Sequence, residues 1–137
     1  METKFNSQIC SSIEQSRRLL ELGLKKETAD MVYRTFGYIE DEEGNKERIY
    51  EKPQLCDKWN KENDIPAWSL HRLIEMLNEE MYGGLLCIFK DSIRYEVAIM
   101  DRLEAHFEVV GENMYENVIS TIEWLIKEGY FNKEYLV

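Results

Sequence analysis

Apolar residues recur along this chain with two periods, and where each period holds predicts an element. Ile9, Ile13 and Leu20 follow one helical stripe that Leu19 widens. Ser11 with Glu14, or Ser12 with Gln15, has capping-box spacing, so a helix is expected from about Ser11 to Leu22. Gly23 stands where a left-handed terminating residue is wanted, and Lys25 to Met31 allows one further turn. Val32 to Ile39 is aromatic and β-branched and reads as a strand, with Arg48 to Glu51 as its short partner. Between them Glu40 to Glu47 makes an exposed acidic loop. Pro53 to Pro66 is irregular. Ser69 then caps a helix reaching about Glu80, with Leu70, Leu73, Ile74, Leu77 and Met81 on one stripe and Gly83-Gly84 behind it. Leu85 to Phe89, Arg94 to Ile99 and Ala105 to Val109 read as a three-strand meander, with a tight turn at Asp91-Ser92. A last helix runs from about Glu112 to Glu128, with Tyr115, Val118, Ile119, Ile122, Leu125 and Ile126 as its apolar face and Trp124 off it.

The expected order is α-β-β-α-β-β-β-α. Strands follow one another instead of alternating with crossover helices, so the class is α+β: one antiparallel sheet of about five strands, a hairpin plus the meander, with about three helices against it. Neither a repeat nor a linker divides residues 1–137, which read as a single domain.

Composition narrows the setting. A hydrophobic fraction of 44% with 12% aromatic residues belongs to a chain that folds, and no apolar run approaches the roughly 18 residues needed to span a bilayer. Met1 to Asn6 lacks the apolar block of a secretory signal, so a cytoplasmic location is expected. Three cysteines, Cys10, Cys56 and Cys87, fit reduced packed thiols better than a disulfide framework. Seventeen basic against 27 acidic residues give a net charge of −10, which repels phosphate backbones and anionic lipid at long range and leaves only a local basic patch for nucleic acid.

No stretch carries a catalytic, cofactor or metal signature. A calcium loop begun at Asp41 has Lys46 where glycine belongs and Lys52 where the bidentate glutamate belongs. No Cys-x-x-Cys is present, His71 and His106 are far apart in sequence, and Cys87 lies inside an apolar strand. Gly83-Gly84 precedes a strand and offers no helix N-terminus to a phosphate. Ser11 to Leu22 has the form of the first half of a helix-turn-helix, but the segment after it is too short for a recognition helix. The less ordinary stretch is Cys56 to Leu70, which holds Trp59, Pro66 and Trp68 in irregular chain beside Lys58, Lys61 and Arg72. Large aromatics on loops serve as contact surfaces. The competing reading folds both rings over the sheet edge to close the core. Trp59, Trp68, His71 and Trp124 are the candidate binding residues; no metal and no cofactor is expected.

Three segments carry a resemblance. They are Ser11 to Leu24 with Thr28-Ala29-Asp30-Met31, then Ile65-Pro66-Ala67-Trp68-Ser69-Leu70, then Glu123-Trp124-Leu125-Ile126-Lys127-Glu128-Gly129-Tyr130. In this order they resemble a group of small proteins of unknown function from Bacteroides-type gut bacteria and their prophage-like regions. The resemblance implies a phage or mobile-element setting and no activity, and it implies that Trp68 and Trp124 belong to the scaffold. The leading expectation is a non-enzymatic protein that presents a surface to another protein or to itself. A nucleic-acid-associated protein using Arg17, Arg18, Lys25, Lys26, Lys58 and Lys61 is the alternative. A small enzyme with a pocket joining His71 or His106 to a carboxylate or Cys56 is third.

Overall fold

The computed structural model describes residues 7–57, 63–81 and 84–137; Trp59, Lys58, Lys61 and Gly83 lie outside them. Among the described residues three α-helices, α1 (Ile13–Glu21), α2 (Leu70–Glu75) and α3 (Met114–Lys127), accompany nine short strands. These are β1 (Met31–Tyr33), β2 (Thr35–Glu40), β3 (Lys46–Tyr50), β4 (Gln54–Leu55), β5 (Ile65–Ala67), β6 (Glu80–Met81), β7 (Gly84–Ile88), β8 (Ser92–Ile99) and β9 (Arg102–Val110). Every pairing is antiparallel. The class is α+β as the pattern predicts. The single sheet of about five strands and the expected order are corrected: the strands form three small sheets, β4-β1-β5, β2-β3 and β6-β7-β8-β9.

The correction has a local cause. The expected strand from Val32 to Ile39 breaks at Arg34 into β1 and β2. The Asp64 carboxylate accepts the Thr35 N–H at 2.8 Å and the Arg34 guanidinium at 3.0 Å, so a side chain takes the donor that a continuous ladder would use. The chain therefore leaves one sheet and starts another. Pro66, which has no N–H to give, sits in β5 at a sheet edge.

The helices are built as their caps dictate. Ser12 and Gln15 close the capping box of α1 reciprocally, and Gly23 follows at φ +104°. Ser69 caps α2 by accepting the Arg72 N–H. That helix stops at Glu75, five residues short of expectation, because Asn78 is held elsewhere: its side-chain amide donates to the Tyr130 carbonyl at 2.8 Å and its own carbonyl accepts the Tyr95 hydroxyl at 2.7 Å. Asn113, one residue past the expected start, caps α3.

One core joins the helices to the four-stranded sheet. Leu19, Trp68, Leu73, Ile93, Tyr95, Val118, Ile119, Ile122 and Leu125 are fully buried within it. Each fully buried aliphatic side chain contributes on the order of 2 kcal/mol, so this cluster holds the fold. A smaller cluster of Cys10, Met31 and Ala67 packs under β1 with Tyr33 against it.

Candidate functional site

The four candidate binding residues do not meet. Trp68 is fully buried, its indole N–H donating to Thr28 Oγ1 at 2.9 Å and its backbone N–H to Ser11 Oγ at 3.0 Å, so it ties α1, β5 and the Lys26–Thr28 turn together and offers no outer surface. Trp124 is half-buried on the flank of α3. Its ring stacks on Phe107 at 4.5 Å and meets Tyr95, His106 and Tyr130 at 6.0, 5.8 and 6.1 Å. The indole covers β8 and β9, which is scaffold work. His71 stands on the exposed side of α2, 3.3 Å from Glu75 one turn on. Trp59 lies outside the described residues.

The thiols are equally unremarkable as chemistry. Burial pushes the Cys10 thiol up, against the lowering contact with Tyr33 Oη at 3.5 Å. Burial and then Glu96 push Cys87 up, so neither is a ready nucleophile at neutral pH. Among the described residues no group of three or more His, Cys, Asp or Glu side chains converges as a metal site. The acidic loop is organised by its own first residue. Asp41 accepts the N–H groups of Glu43 and Asn45 and the Asn45 side-chain amide, and the Asn45 N–H is the leading cause of its lowered pKa.

The hairpin expected from Val32 to Ile39 and Arg48 to Glu51 is present as β2–β3; what sequence reasoning missed is that it forms a sheet of its own. It stands apart from both other sheets as an arm, and its outer half is exposed on both faces. Phe36, Tyr38 and Ile39 are 71%, 57% and 61% exposed. Strict alternation in Lys46-Glu47-Arg48-Ile49-Tyr50 sorts its charges: Lys46, Arg48 and Tyr50 take one face, Glu47 and Ile49 the other. The β3 edge looks toward α1, where Ile13 and Arg17 close a hollow of about 410 Å³ with Lys46, Glu47, Arg48 and Tyr50. A longer groove of about 570 Å³ continues past Tyr33 and Pro53, and the unbroken run 47–53 lines it. Residues from both faces of a strand line one groove when the strand lies edge-on to it.

Electrostatics set this groove apart in a chain of net charge −10. Three cations, Arg17, Lys46 and Arg48, line the hollow with one carboxylate, Glu47, and the longer groove adds Lys52 and Glu51; Glu40 stands opposite Lys46 across the arm. Among the described residues none of the three has an ion-pair partner, whereas Arg18 is bound to Glu116 at 2.6 Å and Arg34 to Asp64 and Asp57. The Lys46 ammonium lies 4.8 Å from the centre of the Tyr38 ring. The signal available in the sequence was the alternating charge of 46–50; nothing in it said which face would meet α1.

No family model matches this chain, and neither curated proteins nor solved structures show significant similarity to it. No helix among the described residues is long and apolar enough to cross a membrane.

Proposed function

We propose that this chain is a non-enzymatic interaction protein whose contact element is the β2–β3 arm with the groove between it and α1. One observation carries the reading: an isolated two-stranded ribbon exposes Phe36 and Tyr38 two residues apart on one strand and Ile39 on the opposite face. Such a ribbon is marginal in water, and adjacent exposed apolar side chains on a projecting element mark contact surfaces. A phage or mobile-element origin and a cytoplasmic location belong to the same proposal and rest on the resemblance and composition set out above.

Nucleic-acid association has one observation in its favour, the placement of Arg17 and Arg48 beside Tyr50. Glu40 on that face, the acids of the tip and the net charge weigh against it. The enzyme reading draws no support from the arm: among the described residues neither groove there includes a histidine or a cysteine.

The test is a photo-crosslinking residue placed at Phe36 or Tyr38 and, as control, at Glu128 on the opposite end of α3, in the cells that make the protein. Discrete protein adducts from the arm positions and none from Glu128 are expected. Absence of adducts from the arm, or equal adducts from all three positions, overturns the proposal.

A further inference from the structure

We infer that the open edge of β3 receives an extended acidic segment of a partner protein, added as a third strand beside the arm; this rests on the arm being the contact surface.

The backbone supports the addition. Glu51 donates its N–H to the Arg34 carbonyl at 2.9 Å, and Asp41 donates to the Asn45 carbonyl at 2.9 Å. These two bonds, at either end of the hairpin, set the same phase: residues 45, 47, 49 and 51 direct their backbone groups toward β2. By the alternation of an antiparallel ladder, the N–H and C=O groups of Lys46, Arg48 and Tyr50 point away from it, along the groove. An edge with free donors and acceptors in a groove is the template for strand addition. Five residues of β3 span about 17 Å, so a segment of five or six residues matches it.

The side chains select the charge. An incoming strand places residues opposite Lys46, Arg48 and Tyr50 on the face that looks at Arg17. Carboxylates opposite Lys46 and Arg48 meet three cations that lack ion-pair partners among the described residues, whereas basic residues there are repelled; Glu47 and Glu51, on the other face of the strand, leave the intervening positions to apolar residues. Ile13, Tyr33, Tyr50 and Pro53 line the groove with apolar surface for the remaining side chains.

A second copy of this chain is a poor occupant by the same rule. Antiparallel pairing of β3 with itself about Arg48 sets Arg48 against Arg48. Shifting the centre to Glu47 sets Lys46 against Arg48, and shifting it to Ile49 sets Glu47 against Glu51. On β2, the bulge that leaves Phe36 unpaired interrupts the other edge. The open edge therefore favours a foreign acidic strand over self-pairing.

The experiment uses the full chain and four labelled probes at low salt: an eight-residue peptide of alternating Glu and Val, its Lys/Val counterpart, the Glu/Val peptide N-methylated at alternate residues, and a ten-nucleotide oligo(dT). Fluorescence anisotropy reads affinity and amide chemical shifts locate the contact. The Glu/Val peptide is expected to bind with shifts at Lys46, Arg48 and Tyr50, and methylation to abolish binding. Arg17→Glu is expected to weaken it about tenfold, and Lys46→Glu/Arg48→Glu to transfer preference to the Lys/Val peptide. Arg17 lies on the exposed side of α1, so its variant keeps the test open if the double variant misfolds. Absence of Glu/Val binding, unchanged affinity in Arg17→Glu, shifts located elsewhere, or preferential oligo(dT) binding each overturns the inference, the last in favour of nucleic acid. If the peptide fails while Tyr38 still crosslinks, the acidic-strand inference falls and the arm reading stands.

Discussion

Two hairpins of this molecule share a plan and differ in what lies over them. β8–β9 and β2–β3 are both antiparallel ribbons with one bulge: His106 is the unpaired residue in the first, Phe36 in the second. In β8–β9 the bulged ring turns to a partner, the Trp124 indole at 5.8 Å, and α3 covers Ile93 and Tyr95 completely. Its outer-face Arg94 is taken up by Glu96 and Glu108 at 3.1 and 3.4 Å. In β2–β3 the bulged Phe36 is exposed, Tyr38 has Lys46 over it, and Arg48 has no ion-pair partner among the described residues. The first ribbon is satisfied within the fold at its root, while its tip exposes Ile99, Met100 and Leu103. The second leaves a matching set of rings, charges and backbone groups for something outside it.

That contrast predicts unequal costs. Trp124→Ala strips the shared cover from Phe107, Tyr95 and His106, and a loss of about 3 kcal/mol in urea unfolding is expected, the lower end for a tryptophan because the ring is half-buried. A loss under 1 kcal/mol would mean that α3 holds the ribbon without its aromatic contacts, and the contrast would blur.

The arm depends instead on its root. Asp64 is buried there, with the Arg34 guanidinium and the Thr35 N–H on its two oxygens. Burial raises the carboxyl's pKa, and the Thr35 and Arg34 bonds outweigh it, leaving the value below the ordinary 3.8. A depressed folded-state pKa contributes stability that is present above the unfolded value and is lost as pH falls through the folded one. Amide exchange at Thr35 to Tyr50 is therefore expected to accelerate below about pH 4, before the core around Ile119 opens. Asp64→Asn is expected to cost about 2 kcal/mol and to flatten that pH dependence. Simultaneous acid opening of arm and core would show that the root is not a separate unit.

The same contrast explains which parts of the fold were legible in the sequence. The α3 stripe was readable because its period runs unbroken from Tyr115 to Ile126, and the β7–β9 meander because its alternation is local. The break at Arg34 was hidden because the group that causes it, Asp64, is thirty residues away and acts through a hydrogen bond with no period. Asn78 shortened α2 in the same manner, through Tyr130 and Tyr95. Of the candidate site, Arg17 was named as one of six basic residues of the nucleic-acid alternative, but Tyr38, Lys46 and Arg48 were not among the candidates. Ring size favours burial in a core as strongly as exposure at an interface, so Trp68 and Trp124 carried no preference until their neighbours were known.

At the tip of β8–β9 a small gain is available. Met100 holds φ +56° in the two-residue turn between Ile99 and Arg102, and its side chain is 98% exposed, so it bears backbone strain without a packing return. Met100→Gly is expected to stabilise by roughly 0.5 to 1 kcal/mol, since relief of strain exceeds the added unfolded-chain entropy. A destabilised variant would assign the Met100 side chain a contact of its own at this exposed tip.

The smallest stability effect is the most discriminating. Tyr38→Ala and Arg48→Glu remove an exposed ring and a charge without an ion-pair partner among the described residues, so each is expected to change unfolding free energy by less than about 0.5 kcal/mol. If the arm existed to complete the fold, truncating Tyr38 would cost what the loss of a cross-strand aromatic costs in a packed sheet, up to about 1 kcal/mol. A near-zero cost in the free protein together with lost crosslinking at Phe36 separates the two purposes. The residue is then kept for what it touches in a complex. A full cost in the free protein with crosslinking intact would return the arm to the scaffold, and β2–β3 would differ from β8–β9 only in how much of it α3 covers.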